Sequence, residues 1–172
     1  MLEQSQEATQ GAEVLSRLAI SLNKAVHSSG ESMGKAMTSA LMVLDLVTGE
    51  GSYINAGHNP AYVMNASGKK ILISRGSPLG VDANAKFDIK PFSIADGGTL
   101  FLYTDGLIEN EGPDGKVVNL KRLTRGLDIS QPVDSIKNSI LSSCQQVWQD
   151  YQAEDDCTFL LIKWEKQQKA AA

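Results

Sequence analysis

The tightest constraint on the fold is a series of short apolar segments between residues 37 and 104, each closed by a turn. Residues 37–46 form an apolar run that ends at Thr48, Gly49, Glu50 and Gly51. Residues 52–56 follow at hairpin distance, then 60–64, a turn through Asn65, Ala66, Ser67 and Gly68, and a strand expected over 70–74. Phe87, Ile89, Pro91 and Phe92 suggest an edge strand, because proline has no N–H to give to a ladder. Gly97 and Gly98 turn the chain into residues 99–104, apolar enough for a central strand. Strands in such close succession pair antiparallel with their sequence neighbours.

Helical spacing appears on either side of this block. Val14, Leu15, Leu18, Leu22 and Val26 predict a helix over 12–28, and Gly30 and Gly34 predict a loop over 28–35. Two further helices are predicted over 119–127 and 132–150, the second with Pro132 near its first turn. A strand over 157–164 closes the chain. The order predicts one α+β domain over 12–164, helices packed on antiparallel sheets, with tails at 1–11 and 165–172.

Composition narrows the class of function. At 42% hydrophobic and 21% charged residues the chain is expected to fold as a globular domain. A net charge of −4 argues against a nucleic-acid or anionic-membrane partner held by bulk electrostatics. No apolar run approaches the roughly 18 residues that span a bilayer. Cys144 and Cys157 form no CxxC pattern and read as reduced thiols, so the expected location is the cytoplasm.

Three clusters offer chemistry. In Tyr103-Thr104-Asp105-Gly106-Leu107-Ile108-Glu109 a strand delivers an aspartate on a rigid support with an open front, which suits a hard cation. Asp105 as a turn or N-cap residue is the plainer alternative. Glu154, Asp155 and Asp156 precede the last strand, where they form either a solvated loop or an acidic site beside Asp105. His58, in Asn55-Ala56-Gly57-His58-Asn59-Pro60, reads as a metal ligand, a proton donor or a turn residue. Two histidines without close spacing make a zinc site a poor fit.

In order, these segments resemble the SpoIIE/RsbU branch of the metal-dependent (PPM) Ser/Thr protein phosphatases. The resemblance rests on the segment from Tyr53 to Pro60, on Pro78-Leu79-Gly80, on the segment from Leu102 to Glu109, and on Asp155-Asp156-Cys157-Thr158. It implies a β-sandwich of antiparallel sheets flanked by helices, and hydrolysis of phosphoserine or phosphothreonine on a regulatory protein of the anti-anti-sigma (STAS) type. It also implies Mn²⁺ or Mg²⁺ as cofactor, with Asp105 and Asp155 at the metal centre, Gly106 contributing backbone, and Asp156 a weaker choice for Asp155's role. His58 matches a family residue for which a turn role is expected.

Two family motifs, an early Gly-Asp and an Asp-x-Ser-Gly-x-Gly before a helix, do not occur in the sequence, and Gly97-Gly98 stands where a Gly-Asp is usual. The expectation is therefore a domain truncated at its N-terminus, weak or inactive alone. The alternative is a catalytically incomplete module that binds a regulator or pairs with a second copy through an exposed sheet edge or face.

Overall fold

The computed structural model describes residues 2–30, 35–150 and 154–166. Among the described residues seven strands form two separate antiparallel sheets. The first contains β1 (Ser39–Leu44), β2 (Glu50–Ala56) and β5 (Lys90–Ser93), in the order β1-β2-β5. The second contains β3 (Ala61–Asn65), β4 (Gly68–Leu72), β6 (Thr99–Tyr103) and β7 (Phe159–Lys163), in the order β4-β3-β6-β7. The helices are α1 (Leu2–Gly30), α2 (Gly106–Glu109), α3 (Leu120–Gly126) and α4 (Val133–Trp148). Among the described residues neither sheet closes on itself, and β1, β5, β4 and β7 stand at the edges.

Side-chain alternation along the strands builds a layered core. Val63 and Leu100 point between the sheets, where they meet Tyr53, Phe92 and Trp164. Their neighbours Tyr62 and Phe101 point the other way, onto Ile136, Ile140 and Cys144 of α4 and Leu123 of α3. On the far side of the first sheet, Leu15 and Ala19 of α1 bury Ile54. Strand β3 is therefore covered on both faces, which is why its sequence reads as a continuous apolar run.

Several boundaries differ from expectation. Helix α1 begins at Leu2, ten residues before its predicted start. Ser28, Ser29 and Gly30 are helical, and residues 31–34 of the expected loop lie outside the described residues, as does the end from residue 167. Strand β4 starts at Gly68, because Ala66 and Ser67 alone make the hairpin turn and Asn65 pairs directly with Gly68. The edge strand at Pro91 and the interior position of β6 agree with the reading from sequence.

The aromatic cluster behind β6 gives the fold a pH limit. Tyr103 stacks on Phe101 at 5.4 Å between ring centroids and lies 6.3 Å from Tyr62. Burial, with the neighbouring tyrosines, pushes its phenol from an ordinary 10 up to about 12. The folded state then holds this proton more tightly than the unfolded chain. The resulting stability is complete below pH 10 and is lost as pH rises toward 12. Urea midpoints measured from pH 8 to 12 should fall across that window, and Tyr103→Phe should make the fall shallower. An identical profile for the variant would contradict the assignment.

Candidate metal centre

Strand β6 carries the chain to Asp105 between two packed faces, with Leu100 and Phe101 fully buried. Its partner β7 starts opposite, where Tyr103 pairs with Phe159. The two chains stay joined beyond the strands. Thr104 N–H donates to the Thr158 carbonyl at 2.9 Å, and Thr158 N–H donates to Thr104 Oγ1 at 2.9 Å. The Thr104 hydroxyl also reaches the Asp156 carbonyl at 3.2 Å.

Asp105 itself caps α2, its Oδ1 accepting the Gly106 N–H at 3.2 Å. The plain capping role and the proposed metal role thus fall on one residue. Gly106 is required here by proximity. A Cβ at this position would lie 2.5 Å from the Asp156 carbonyl oxygen and 3.2 Å from that of Asp155. The backbone of the acidic loop therefore rests directly on the residue after Asp105, although the two segments are fifty residues apart in sequence. Asp155 Oδ1 accepts the Asp156 N–H at 2.8 Å, and the side chains of Asp105, Asp155 and Asp156 lie in exposed positions.

A residue that the sequence reading passed over links these pieces. Asn110, only 3% exposed, bonds to the backbone of both α2 and the acidic loop. In sequence it stands between Glu109 and Glu111, where nothing marks it for burial. Gly106, expected to contribute backbone at the metal centre, has its carbonyl accepting from Asn110 Nδ2 at 2.8 Å.

The turn holding His58 comes up to the same place. Asn55 Nδ2 donates to the His58 carbonyl at 2.8 Å, and His58 N–H donates to Asn55 Oδ1 at 2.7 Å. Gly57 adopts φ +74° with its α-carbon against Pro78, a conformation and a closeness that favour glycine. His58 Nδ1 lies 3.4 Å from Thr38 Oγ1. His58, Thr38, Thr104, Asp105 and Glu109 together line a cleft of about 220 Å³. A larger cavity of about 690 Å³ lies elsewhere, between the start of α1 and the first sheet, and none of these residues lines it.

Among the described residues, no lysine, arginine or histidine forms an ion pair with Asp105, Glu109, Glu154, Asp155 or Asp156. Carboxylates left without a protein counter-charge suit a hard divalent cation that keeps much of its water. No group of three or more His, Cys, Asp or Glu side chains among the described residues is arranged to hold a metal. The described residues thus form no closed protein cage for a metal.

Comparison with known proteins places this arrangement. The family model described as Stage II sporulation protein E (SpoIIE) matches residues 3–165. The chain belongs to the SpoIIE family. Within it, the chain is similar to the phosphoserine phosphatase RsbP of Bacillus subtilis, 29% identical over 126 residues, covering 73% of this chain and 30% of RsbP. It is also similar to the protein IcfG of Synechocystis sp., 35% identical over 105 residues, covering 60% of this chain and 16% of IcfG. The chain thus corresponds to less than a third of either relative's length. The solved phosphatase domain of the cell fate determinant SpoIIE from Bacillus subtilis, presoaked with Mn, shares the fold. The TM-score is 0.61 at 16% identity, covering 89% of this chain and 76% of that one. The chain shares with that domain an arrangement of antiparallel sheets and flanking helices.

Proposed function

We propose that this SpoIIE-family segment serves a Mn²⁺- or Mg²⁺-dependent phosphatase that hydrolyses phosphoserine or phosphothreonine on a regulatory protein of the STAS type. The single observation that carries the reading is the packing of the Asp155-Asp156 backbone on Gly106, next to Asp105, which itself lines a polar cleft that Asp155 and Asp156 do not line. Asp105 and Asp155 are the proposed metal ligands, with Asp156 the weaker alternative to Asp155. A bound divalent ion supplies Lewis acidity toward phosphoryl oxygens and acidifies a water molecule.

The chain's own residues do the rest. Strand β6 and the one-turn α2 hold Asp105 rigid, so little reorganisation is needed when a cation arrives. Without a cation, the carboxylates repel a phosphoryl group, so the cleft accepts substrate only in its loaded form. His58 and Thr38 form the opposite wall, where His58 has its main chain fixed by Asn55. We assign His58 a shaping role for that wall.

The described residues include no helix long and apolar enough to cross a membrane, and both cysteines are free, which supports the cytoplasm as the site of action.

A second reading, a phosphatase-like module that pairs with another copy, is favoured by one observation. Strand β7 is an open edge with Leu160 51% and Ile162 37% exposed.

Hydrolysis of p-nitrophenyl phosphate separates the two. The phosphatase reading expects Mn²⁺-dependent turnover, reduced by about 10²-fold or more in Asp105→Asn, since even outer-shell partners of a metal site are worth about 10 to 100-fold. Turnover unaffected by the substitution would remove Asp105 from the site. No turnover, together with a dimer in light scattering, would favour the second reading.

A further inference from the structure

We propose that Asn110 is a positioning residue that sets the distance between the Asp105 and Asp155 segments and thereby the cation affinity of the pair. The inference rests on the metal-centre reading above and deepens it.

Each hydrogen-bonding position of the Asn110 amide is used. Nδ2 donates to the carbonyls of Gly106 and Asp155, both at 2.8 Å. Oδ1 accepts the N–H groups of Glu154 and Asp155, both at 2.9 Å. Two donors and two acceptor sites are all that an asparagine side chain has. One end of this set grips the first residue of α2, directly after Asp105. The other grips Asp155 by both its N–H and its carbonyl. A third tie runs through the Asn110 main chain, whose carbonyl accepts Trp148 Nε1 at 3.1 Å, at the last residue of α4. The exposed acidic loop is thus tied to α2 through one buried side chain, in addition to the bond from the Thr104 hydroxyl to the Asp156 carbonyl.

Such a clamp acts in the manner of outer-shell partners of metal sites. It touches no cation, but it orients the groups that would. A purely structural asparagine would lower stability when replaced and leave the affinity of the folded protein unchanged.

The test is a Mn²⁺ titration of the whole chain, followed by paramagnetic broadening of the Gly106 amide signal, a readout that also reports weak sites. Wild type, Asn110→Ala, Asn110→Ser, Asp105→Asn and Leu15→Ala are compared at a temperature where circular dichroism shows each one folded. Serine keeps one hydroxyl but is too short to grip both segments, and it provides a second variant should alanine fail to fold. Leu15 lies on α1, buried against the far side of the first sheet, so Leu15→Ala controls for a simple loss of stability.

The expected result is a loss of Mn²⁺ affinity of about 10 to 100-fold in the folded Asn110 variants and none in Leu15→Ala. Affinity equal to wild type in a folded Asn110 variant, with Asp105→Asn impaired, overturns the positioning role and leaves the metal centre standing. Broadening absent from wild type, or present unchanged in Asp105→Asn, overturns the metal centre and the positioning role with it.

Discussion

Gly106→Ala is expected to destabilise the protein by about 1–3 kcal/mol, the usual penalty for forcing an extra carbon into a packed site. The sign is informative, because local propensity predicts the opposite. Gly106 opens α2 and its φ is not in the left-handed region, so an alanine there, judged by helix preference alone, gains up to about 1 kcal/mol. What reverses the sign is the Asp156 backbone, with its carbonyl oxygen 2.5 Å and its carbonyl carbon 2.9 Å from the new methyl. That segment cannot retreat freely. Thr104 Oγ1 holds the Asp156 carbonyl, and Asn110 holds Asp155 at both its N–H and its carbonyl. The methyl therefore pushes the acidic loop off Asp105 or strains the bonds that retain it.

Gly126→Ala provides the comparison. Gly126 ends α3 with nothing within 4 Å of a built Cβ, so alanine there should be neutral or stabilising. Urea denaturation of both variants reads the difference. Equal effects would mean that the acidic loop does not rest on Gly106. The same displacement should lower Mn²⁺ affinity, which links the packing of one glycine to the chemistry of the site.

Much of the fold was legible because apolar spacing and turn residues agree with the elements that form. Strand β6 is apolar from Leu100 to Tyr103 and sits inside its sheet, while Pro91 marks the edge strand β5. The start of α4 is visible in Pro132, whose fixed φ suits the residue before a helix.

The parts not legible share a cause. The first turns of α1 contain Glu3, Gln4, Ser5, Gln6 and Glu7, which carry no apolar stripe for a periodicity argument to detect. Helix α2 is a single turn, too short for any period to show. Asn110 carries no signal in the sequence, since a polar side chain says nothing about whether it will be buried and saturated.

The approach of the Asp155-Asp156 backbone to Gly106, beside Asp105, was a harder case. It depends on β6 pairing with β7, and two five-residue apolar strands do not announce each other. That expectation came from the resemblance to the phosphatase family, and the Thr104–Thr158 and Asn110 bonds give it a physical basis. Among the described residues no group of three or more His, Cys, Asp or Glu is arranged to hold a metal, so a cation held by these residues relies on few of them. With so few ligands, each one is expected to carry a large share of the affinity.

That dependence makes Asp105 and Asp155 the subject of the second large prediction. If one ion is held between them, removing either carboxylate destroys the chelate, and removing the second from an already broken site changes little. Side chains that share a partner show coupling of about 0.5–3 kcal/mol in a double-mutant cycle, whereas independent sites give losses that add. Asp156→Asn, the neighbouring acid, should have the smaller effect. The deciding measurement is Mn²⁺ affinity in wild type, Asp105→Asn, Asp155→Asn and the double variant. The predicted result is a large loss in each single variant with little further loss in the double. Additive losses, or an Asp155→Asn variant that binds like wild type, would contradict a cation shared by the two carboxylates.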